Sequence, residues 1–228
     1  MNKDQIKQIA QLNKAFYEKY ALSFSNTRQH HWNGWVRLRK YINSNGSVLD
    51  IACGNGRFLD FLKKSFGKDP NYLGIDNNPA LLKIGQQKHG DKYFRKLDVI
   101  LEIKNISGPF DTVAIFGFMH HIPYHEFRVD WLKKATQLLS DSGHLIISFW
   151  QMDKDKRFYL RAKKAQDLEE NDYYYNWAKE DTLRYVHIYD KNEINKLTQE
   201  LEKANLKLVE QFEEDNGLNR YLVFKKVL

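Results

Sequence analysis

The sequence predicts an α/β fold: a mostly parallel sheet with helices on both faces, closed by an antiparallel hairpin. Three observations predict it. Short β-rich runs alternate with helical patterns between residues 47 and 150, and such alternation requires crossover connections and hence parallel strands. Two of the runs, VAIF and LIISF, are almost continuously apolar, as strands buried on both sides must be. Near the end, KLVEQFEED and NRYLVFKKV flank Asn216 and Gly217, residues able to supply the positive φ angles of a hairpin turn.

The elements follow in order. Ile6, Ile9, Leu12 and Phe16 recur at helical spacing, as do Trp35, Leu38 and Tyr41, which predicts two amphipathic helices before residue 45 joined by SFSNTRQHHW. Asn45 and Gly46 break the chain. Strands are expected at SVLDIA (47–52), NYLGID (71–76), YFRKLDV (93–99), DTVAIFGF (111–118) and HLIISFW (144–150). Helices are expected at RFLDFLKKSF, NPALLKIGQQKHG and EFRVDWLKKATQLLS. With the hairpin this makes seven strands. Residues 151–190 depart from the alternation, being highly charged and rich in tyrosine. They read as an insertion beside the carboxyl ends of the strands, where open α/β sheets bind ligands. The expected organisation is one domain over 1–228: N-terminal helices (1–45), a ligand-binding core (46–150), the insertion (151–190), and a closing helix and hairpin (191–228).

Composition narrows the class. With 228 residues, 42% hydrophobic and 29% charged, the chain suits a globular domain with a sizeable core. A net charge of +7 favours polyanionic partners. One cysteine, Cys53, excludes an internal disulfide and a cysteine zinc site, and fits a reducing compartment. No apolar run is long enough to span a membrane, and the N-terminus lacks a signal-peptide core, so a cytoplasmic location is expected.

VLDIACGNGRFL (48–59) runs from a strand through two glycines into a helix, the place where backbone approaches a ligand. A dinucleotide fingerprint would want a third glycine or alanine where Leu59 stands. Asp50 would also repel a pyrophosphate and attract a cation. S-adenosylmethionine has no phosphate and carries both an ammonium and a sulfonium. Asp76 ends the second strand, where a carboxylate can hold ribose hydroxyls. Asp98 ends the third, where it can accept from an adenine amino group.

VLDIACGNG, YLGID and the following strands resemble the Rossmann-like class I S-adenosylmethionine-dependent methyltransferases. That resemblance implies a methionine subsite at Asp50, Gly54 and Gly56, with Ala52 and Cys53 on the same turn. It implies a ribose subsite at Asp76 and Asn77, an adenine subsite at Asp98 and Val99, and Phe116 to Met119 near the reactive methyl group. Cys53 then serves as a turn residue, with no basic neighbour in sequence to make it a nucleophile.

Three further stretches, FYEKYALSFSNTRQHHW (16–32), FMHHIPYHEF (118–127) and DYYYNWAKEDTLRYVHIYDKNEI (172–194), resemble the methyltransferases that esterify 5-carboxymethyluridine at the tRNA wobble position. The matching residues are Tyr20, Phe24, Ser25, Thr27, Arg28 and Trp32; His120 and His121; Trp177, Arg184, Tyr185, His187 and Tyr189; and, closing the chain, Asp215 and Asn219. Phe149 and Trp150 match a tryptophan at the end of the fifth strand. One departure is that Asn33 and Gly34 stand where that family has proline after its first tryptophan.

This resemblance implies a carboxylate acceptor, already ionised and needing capture rather than a strong base. Arg28 and Arg184 are the candidate clamp, with His121 and His187 donating to the acceptor or shaping its pocket. Trp32, His120, Trp150, Trp177 and Tyr185 are candidate substrate contacts, the aromatics able to stack on splayed bases. Lys154, Lys156, Arg157, Arg161, Lys163 and Lys164 can either track phosphates or form a solvated face. The implied partner is a tRNA anticodon loop. Eukaryotic members of that family also use a small zinc-binding activator protein, to which no residue here points. No metal site is expected. Two alternatives remain: a small-molecule O- or C-methyltransferase on the same fold, and a module that binds S-adenosylmethionine without catalysis.

Overall fold

A computed structural model of the protein describes residues 3–154, 158, 161–166, 168–176 and 182–227. Its main sheet has seven strands: β1 (Ser47–Ile51), β2 (Asn71–Asp76), β3 (Phe94–Lys96), β4 (Phe110–Ile115), β5 (Leu139–Trp150), β9 (Leu206–Glu214) and β10 (Asn219–Lys226). They lie in the order β3-β2-β1-β4-β5-β10-β9. The first five run parallel, and β10 is antiparallel to both β5 and β9. The chain reverses between β1 and β4, so the carboxyl ends of those two strands flank the crevice where a ligand is expected.

Strand pleating sends alternate residues to opposite faces. Leu49, Ile51, Val113 and Ile147 enter one core with Trp131, while Val48, Ala114 and Ile146 enter another with Trp35 and Phe58. Helices α3 (Arg57–Phe66), α4 (Pro79–His89), α6 (His125–Thr136) and α7 (Lys191–Lys203) cover the two faces, with a short α5 (Val99–Glu102) after β3. α3 coincides with the expected RFLDFLKKSF, and it stops at Gly67, whose φ of 66° suits a left-handed cap. β3 is shorter than expected, because Asp98 turns the chain into α5.

Two regions depart from the sequence reading. α1 (Lys3–Asn26) continues through SFSN before the chain turns, and α2 (Asn33–Leu38) is a short helix ending in a single tight turn. The insertion forms a second sheet, with β6 (Ala162–Lys164), β7 (Asp172–Asn176) and β8 (Leu183–His187) antiparallel in that order. One face of it, with Tyr175 and Val186, packs on Met152 and Phe158 as a small separate core. α1 lies along the free edge of β8, where Oδ1 of Asn13 accepts from the Tyr185 amide at 2.7 Å. A strand edge is thus closed by a side chain instead of another strand. Among the described residues, no helix is long and apolar enough to cross a membrane.

Candidate active site

The turn between β1 and α3 is held open by backbone geometry. Ala52, Gly54 and Gly56 take φ of 62°, 56° and 75°, the left-handed region that disfavours side chains. A β-carbon at Gly56 would stand 2.7 Å from the Phe94 ring, so glycine is required there by space as well. Asp76 pins the turn: one oxygen accepts from the Gly54 amide and the other from the Asn78 amide, each at 2.8 Å. Burial pushes the Asp76 carboxyl upward, opposed by these backbone bonds.

Asp50 lies below the turn, 2% exposed, accepting a 2.6 Å bond from the Tyr72 hydroxyl. Burial pushes its carboxyl up to about 7, against the pull of that bond. The cost of burying this charge is offset by a cation bound beside it. Cys53 is buried, and burial together with Asp76 and Asp50 holds its thiol well above the ordinary range. It packs the turn and has none of the character of a nucleophile.

The turn opens into a cavity of about 820 Å³, a volume typical of small-molecule sites. Asp50, Ala52, Cys53, Gly54, Asp76, Asn77, Val99 and Phe116 line it. So do Arg28, Trp32, His120, His121, Trp150 and Arg184. The two groups of residues expected around a methyl donor and its acceptor therefore share one chamber.

The second group is cationic and aromatic. Arg184 is 1% exposed, its guanidinium 5.1–5.6 Å from the ring centres of Phe16, Tyr175 and Trp150. Arg28 follows α1 and lies 3.7 Å over the Phe24 ring. Burial, and the charge of Arg184, pull the Arg28 guanidinium down to about 10, which leaves it cationic at neutral pH.

His121 is fixed on both sides. Nδ1 is 3.1 Å from the Tyr185 carbonyl and Nε2 is 2.9 Å from the Tyr17 hydroxyl, which itself accepts from Nη1 of Arg184. With its proton on Nδ1, His121 donates to the carbonyl and accepts from Tyr17. The other tautomer, accepting from Asn13 Nδ2 at 3.2 Å, leaves the carbonyl and the Tyr17 proton unsatisfied. Burial, then Arg184, lower His121 to about 3. His120, 3% exposed, lies with its ring centre 4.0 Å from that of His121, the planes tilted, and meets Trp150 edge-on at 5.3 Å. Neither of its ring nitrogens meets a hydrogen-bonding partner among the described residues. Burial, His121 and both arginines hold it well below its usual value. Both imidazoles are neutral.

Several expected site residues lie elsewhere. His187 is off the cavity wall: Nδ1 meets Asp172 at 2.6 Å and Nε2 meets Glu193 at 2.7 Å. It holds the insertion to α7 and cannot touch an acceptor. Tyr185 is wholly buried, its hydroxyl donating to Asp172 at 2.6 Å, because its strand position faces away from Arg184. Met119 is in the core, and only its carbonyl is engaged, by the Tyr189 hydroxyl. Asp98 caps α5 through the Ile100 and Leu101 amides; Val99 and Ile100 line the cavity in its stead. Gly56 shapes the turn without reaching the wall. Trp177, Lys156 and Arg157 lie outside the described residues. Lys154 pairs with Glu213 at 2.7 Å, and Arg161 reaches the cavity. Ligand atoms of Glu169, Asp172 and His187 lie within 4.8 Å of one another, but Arg128 binds Glu169 and Glu193 there, so the charges are already matched.

The sequence reading missed Asn13, Tyr17 and Arg57. Asn13 and Tyr17 are four apart and so share a face of α1. The signal was a polar pair interrupting an apolar stripe.

Residues 26–211 match the model of a family described as a methyltransferase domain. A protein of Encephalitozoon cuniculi named as a methyltransferase is 32% identical over 177 residues, which is 76% of this chain and 78% of that one. The tRNA (carboxymethyluridine(34)-5-O)-methyltransferase ALKBH8 of Mus musculus is 29% identical over 161 residues, covering 68% of this chain and 23% of that protein. This chain thus spans about a quarter of that relative. A crystal structure described as an S-adenosylmethionine-dependent methyltransferase from Bacteroides fragilis with S-adenosyl-L-homocysteine aligns at a TM-score of 0.60 and 18% identity, over 88% of this chain and 79% of that one. That likeness is one of fold. The family match runs from the end of α1 into β9, across both the glycine turn and the cavity, and the chain belongs to the methyltransferase domain family.

Proposed function

We propose that the protein transfers the methyl group of S-adenosylmethionine to a carboxylate, that of a carboxymethyl group on wobble uridine in tRNA. The donor is S-adenosylmethionine: a cavity with a buried acid on a glycine turn and a second acid at the next strand end suits a cationic nucleoside and repels a phosphate. It supplies an electrophilic methyl on a sulfonium sulfur.

The observation that carries the acceptor is the company Arg184 keeps. Arg28 and Arg184 line the same chamber as two imidazoles that stay neutral. Such imidazoles are weak bases, so an alcohol or amine acceptor would find little help in losing its proton. A carboxylate needs none, and two guanidiniums are suited to hold it. Trp32, Trp150 and Tyr175 exclude water from the captured anion, which raises its reactivity toward a cation. The same rings offer surfaces on which an unstacked base can lie. The similarity to ALKBH8 of Mus musculus supports the nucleoside, and the charge of +7 supports a nucleic-acid partner.

The test is to supply methyl-labelled cofactor with tRNA carrying or lacking carboxymethyluridine. Label should enter only the modified tRNA and should leave as methanol in mild alkali, as an ester does. At saturating cofactor the rate should be nearly flat between pH 6 and pH 8.5, since neither imidazole titrates there. Label that resists alkali, or that enters only small metabolites, overturns the assignment.

A further inference from the structure

We propose that Ser25 is a positioning residue for the acceptor: Asn55, between the two glycines, holds Ser25 at the end of α1, and Ser25 holds the bend that carries Arg28. The proposal rests on Arg28 serving the acceptor, and adds to that reading how its guanidinium is kept in place.

Asn55 stands between Gly54 and Gly56, whose φ angles of 56° and 75° fix the path of the turn. Its carboxamide Nδ2 donates to Oγ of Ser25 at 2.9 Å. Ser25 is 2% exposed and lies in the last turn of α1, which ends at Asn26. The closing carbonyls of a helix have no partner inside it. The Ser25 carbonyl instead takes two donors from the chain beyond, the Arg28 amide at 2.9 Å and Nε2 of Gln29 at 2.8 Å. One residue thus pins the bend twice, by its side chain to the glycine turn and by its carbonyl to Arg28.

The arginine side chain is hung on that same turn of helix. Thr27 Oγ1 donates to the Phe24 carbonyl at 2.9 Å and accepts from Nη1 of Arg28 at 2.7 Å, while the guanidinium lies 3.7 Å over the Phe24 ring. Phe24 in turn meets the Tyr17 ring edge-on at 5.0 Å, and the Tyr17 hydroxyl accepts from Arg184. Arg28 therefore goes where the end of α1 goes, and the Asn55 bond ties that end to the wall of the chamber. A long, rotamer-rich side chain captures an anion well only when its support is fixed beforehand. Ser25 lies off the cavity wall, so it acts through Arg28 and touches neither ligand.

The test is a double-mutant cycle of Ser25→Ala and Arg28→Met, with KM for carboxymethyluridine tRNA measured at saturating S-adenosylmethionine. Calorimetry with S-adenosylhomocysteine runs beside it. Alanine favours a helix, so Ser25→Ala keeps α1. It should raise KM about 5- to 10-fold, the worth of one hydrogen bond, and change S-adenosylhomocysteine affinity less than about twofold. In the Arg28→Met background it should add less than about twofold, since nothing is left to position. Ser25→Thr, which keeps the hydroxyl, should stay near the unaltered KM. Equal fold-losses in both backgrounds would mean a merely structural bond and overturn the proposal, as would an unchanged KM in Ser25→Ala alone. If the unaltered protein transfers no methyl group to that tRNA, or if Arg28→Met leaves KM unchanged, the acceptor reading itself falls and takes this proposal with it.

Discussion

Tyr17 donates its hydroxyl hydrogen to Nε2 of His121 across 2.9 Å while accepting from the guanidinium of Arg184. One hydroxyl on α1 thus sets the His121 ring and the side chain of β8 residue Arg184 together. Tyr17→Phe keeps the ring and removes this junction. It leaves the buried Nε2 without a partner, at a cost of about 1–3 kcal/mol. We expect kcat/KM for the acceptor to fall about 10-fold or more, with affinity for S-adenosylhomocysteine unchanged. Steady-state kinetics beside calorimetry checks both halves.

Asp50 makes cofactor affinity depend on pH. Its carboxyl titrates at about 7 in the free protein, and an adjacent ammonium favours the ionised form. Bound ligand therefore lowers that value, and affinity falls as pH drops through 7. The expected loss approaches tenfold per pH unit, about 1.4 kcal/mol, until the bound-state value is reached. Calorimetry with S-adenosylhomocysteine between pH 5.5 and 7.5 stays below the titration of the ligand's own amino group. Asp50→Asn should bind more weakly and nearly independently of pH in that range.

The glycine turn and sheet were legible because each rests on local rules: alternation, apolar runs, and glycine at positive φ. On the acceptor side, neighbours along one strand were only partly told apart. Arg184 and Tyr185 are adjacent in sequence, but pleating sends Arg184 to the cavity and Tyr185 to the Asp172 network. His187 shares the Tyr185 face, as residues two apart must, and that alternation was there to be read. Tyr17 and Arg57 became visible only once α1 crossed the edge of β8 and Trp32 closed over the turn. Contacts between residues 17 and 184 or 32 and 57 are products of tertiary packing, and no local pattern announces them.

His187 should act as a pH-sensitive tie within the fold. Burial opposes its charge, but Asp172 and Glu193, one at each nitrogen, raise it above the ordinary value. The groups facing it are those two carboxylates, the Tyr189 ring at 4.7 Å and the nearby Arg128. A raised folded-state value means the stabilisation is fully present below the unfolded value, about 6.5, and is lost as pH rises through the folded one. Urea denaturation from pH 6 to pH 9 should show stability declining. His187→Gln should flatten that decline and cost about 3–5 kcal/mol at pH 6, as expected when a buried carboxylate loses its cation.

The departure at Asn33 and Gly34 has a structural reason that substitutions can check. The Asn33 amide donates to Oδ1 of Asp215 at 2.8 Å, and Oδ2 of the same carboxylate accepts from the Tyr221 hydroxyl at 2.6 Å. Asp215 thereby ties the β9–β10 turn to the start of α2. Proline at 33 has no amide hydrogen to give. A β-carbon at Gly34 would stand 2.3 Å from the Tyr221 ring, which is wholly buried and stacked 5.0 Å from Phe212. The ring has nowhere to retreat, so Gly34→Ala should cost about 1–3 kcal/mol by overpacking. Asn33→Pro should cost less, about 1 kcal/mol for one hydrogen bond. Because Trp32 precedes both positions and lines the cavity beside Arg57, each variant should also weaken S-adenosylhomocysteine binding. Thermal unfolding and calorimetry on the two variants test this. A stable Gly34→Ala protein with undiminished affinity would show that the Tyr221 ring yields, and that the tie through Asp215 does not hold Trp32 in place.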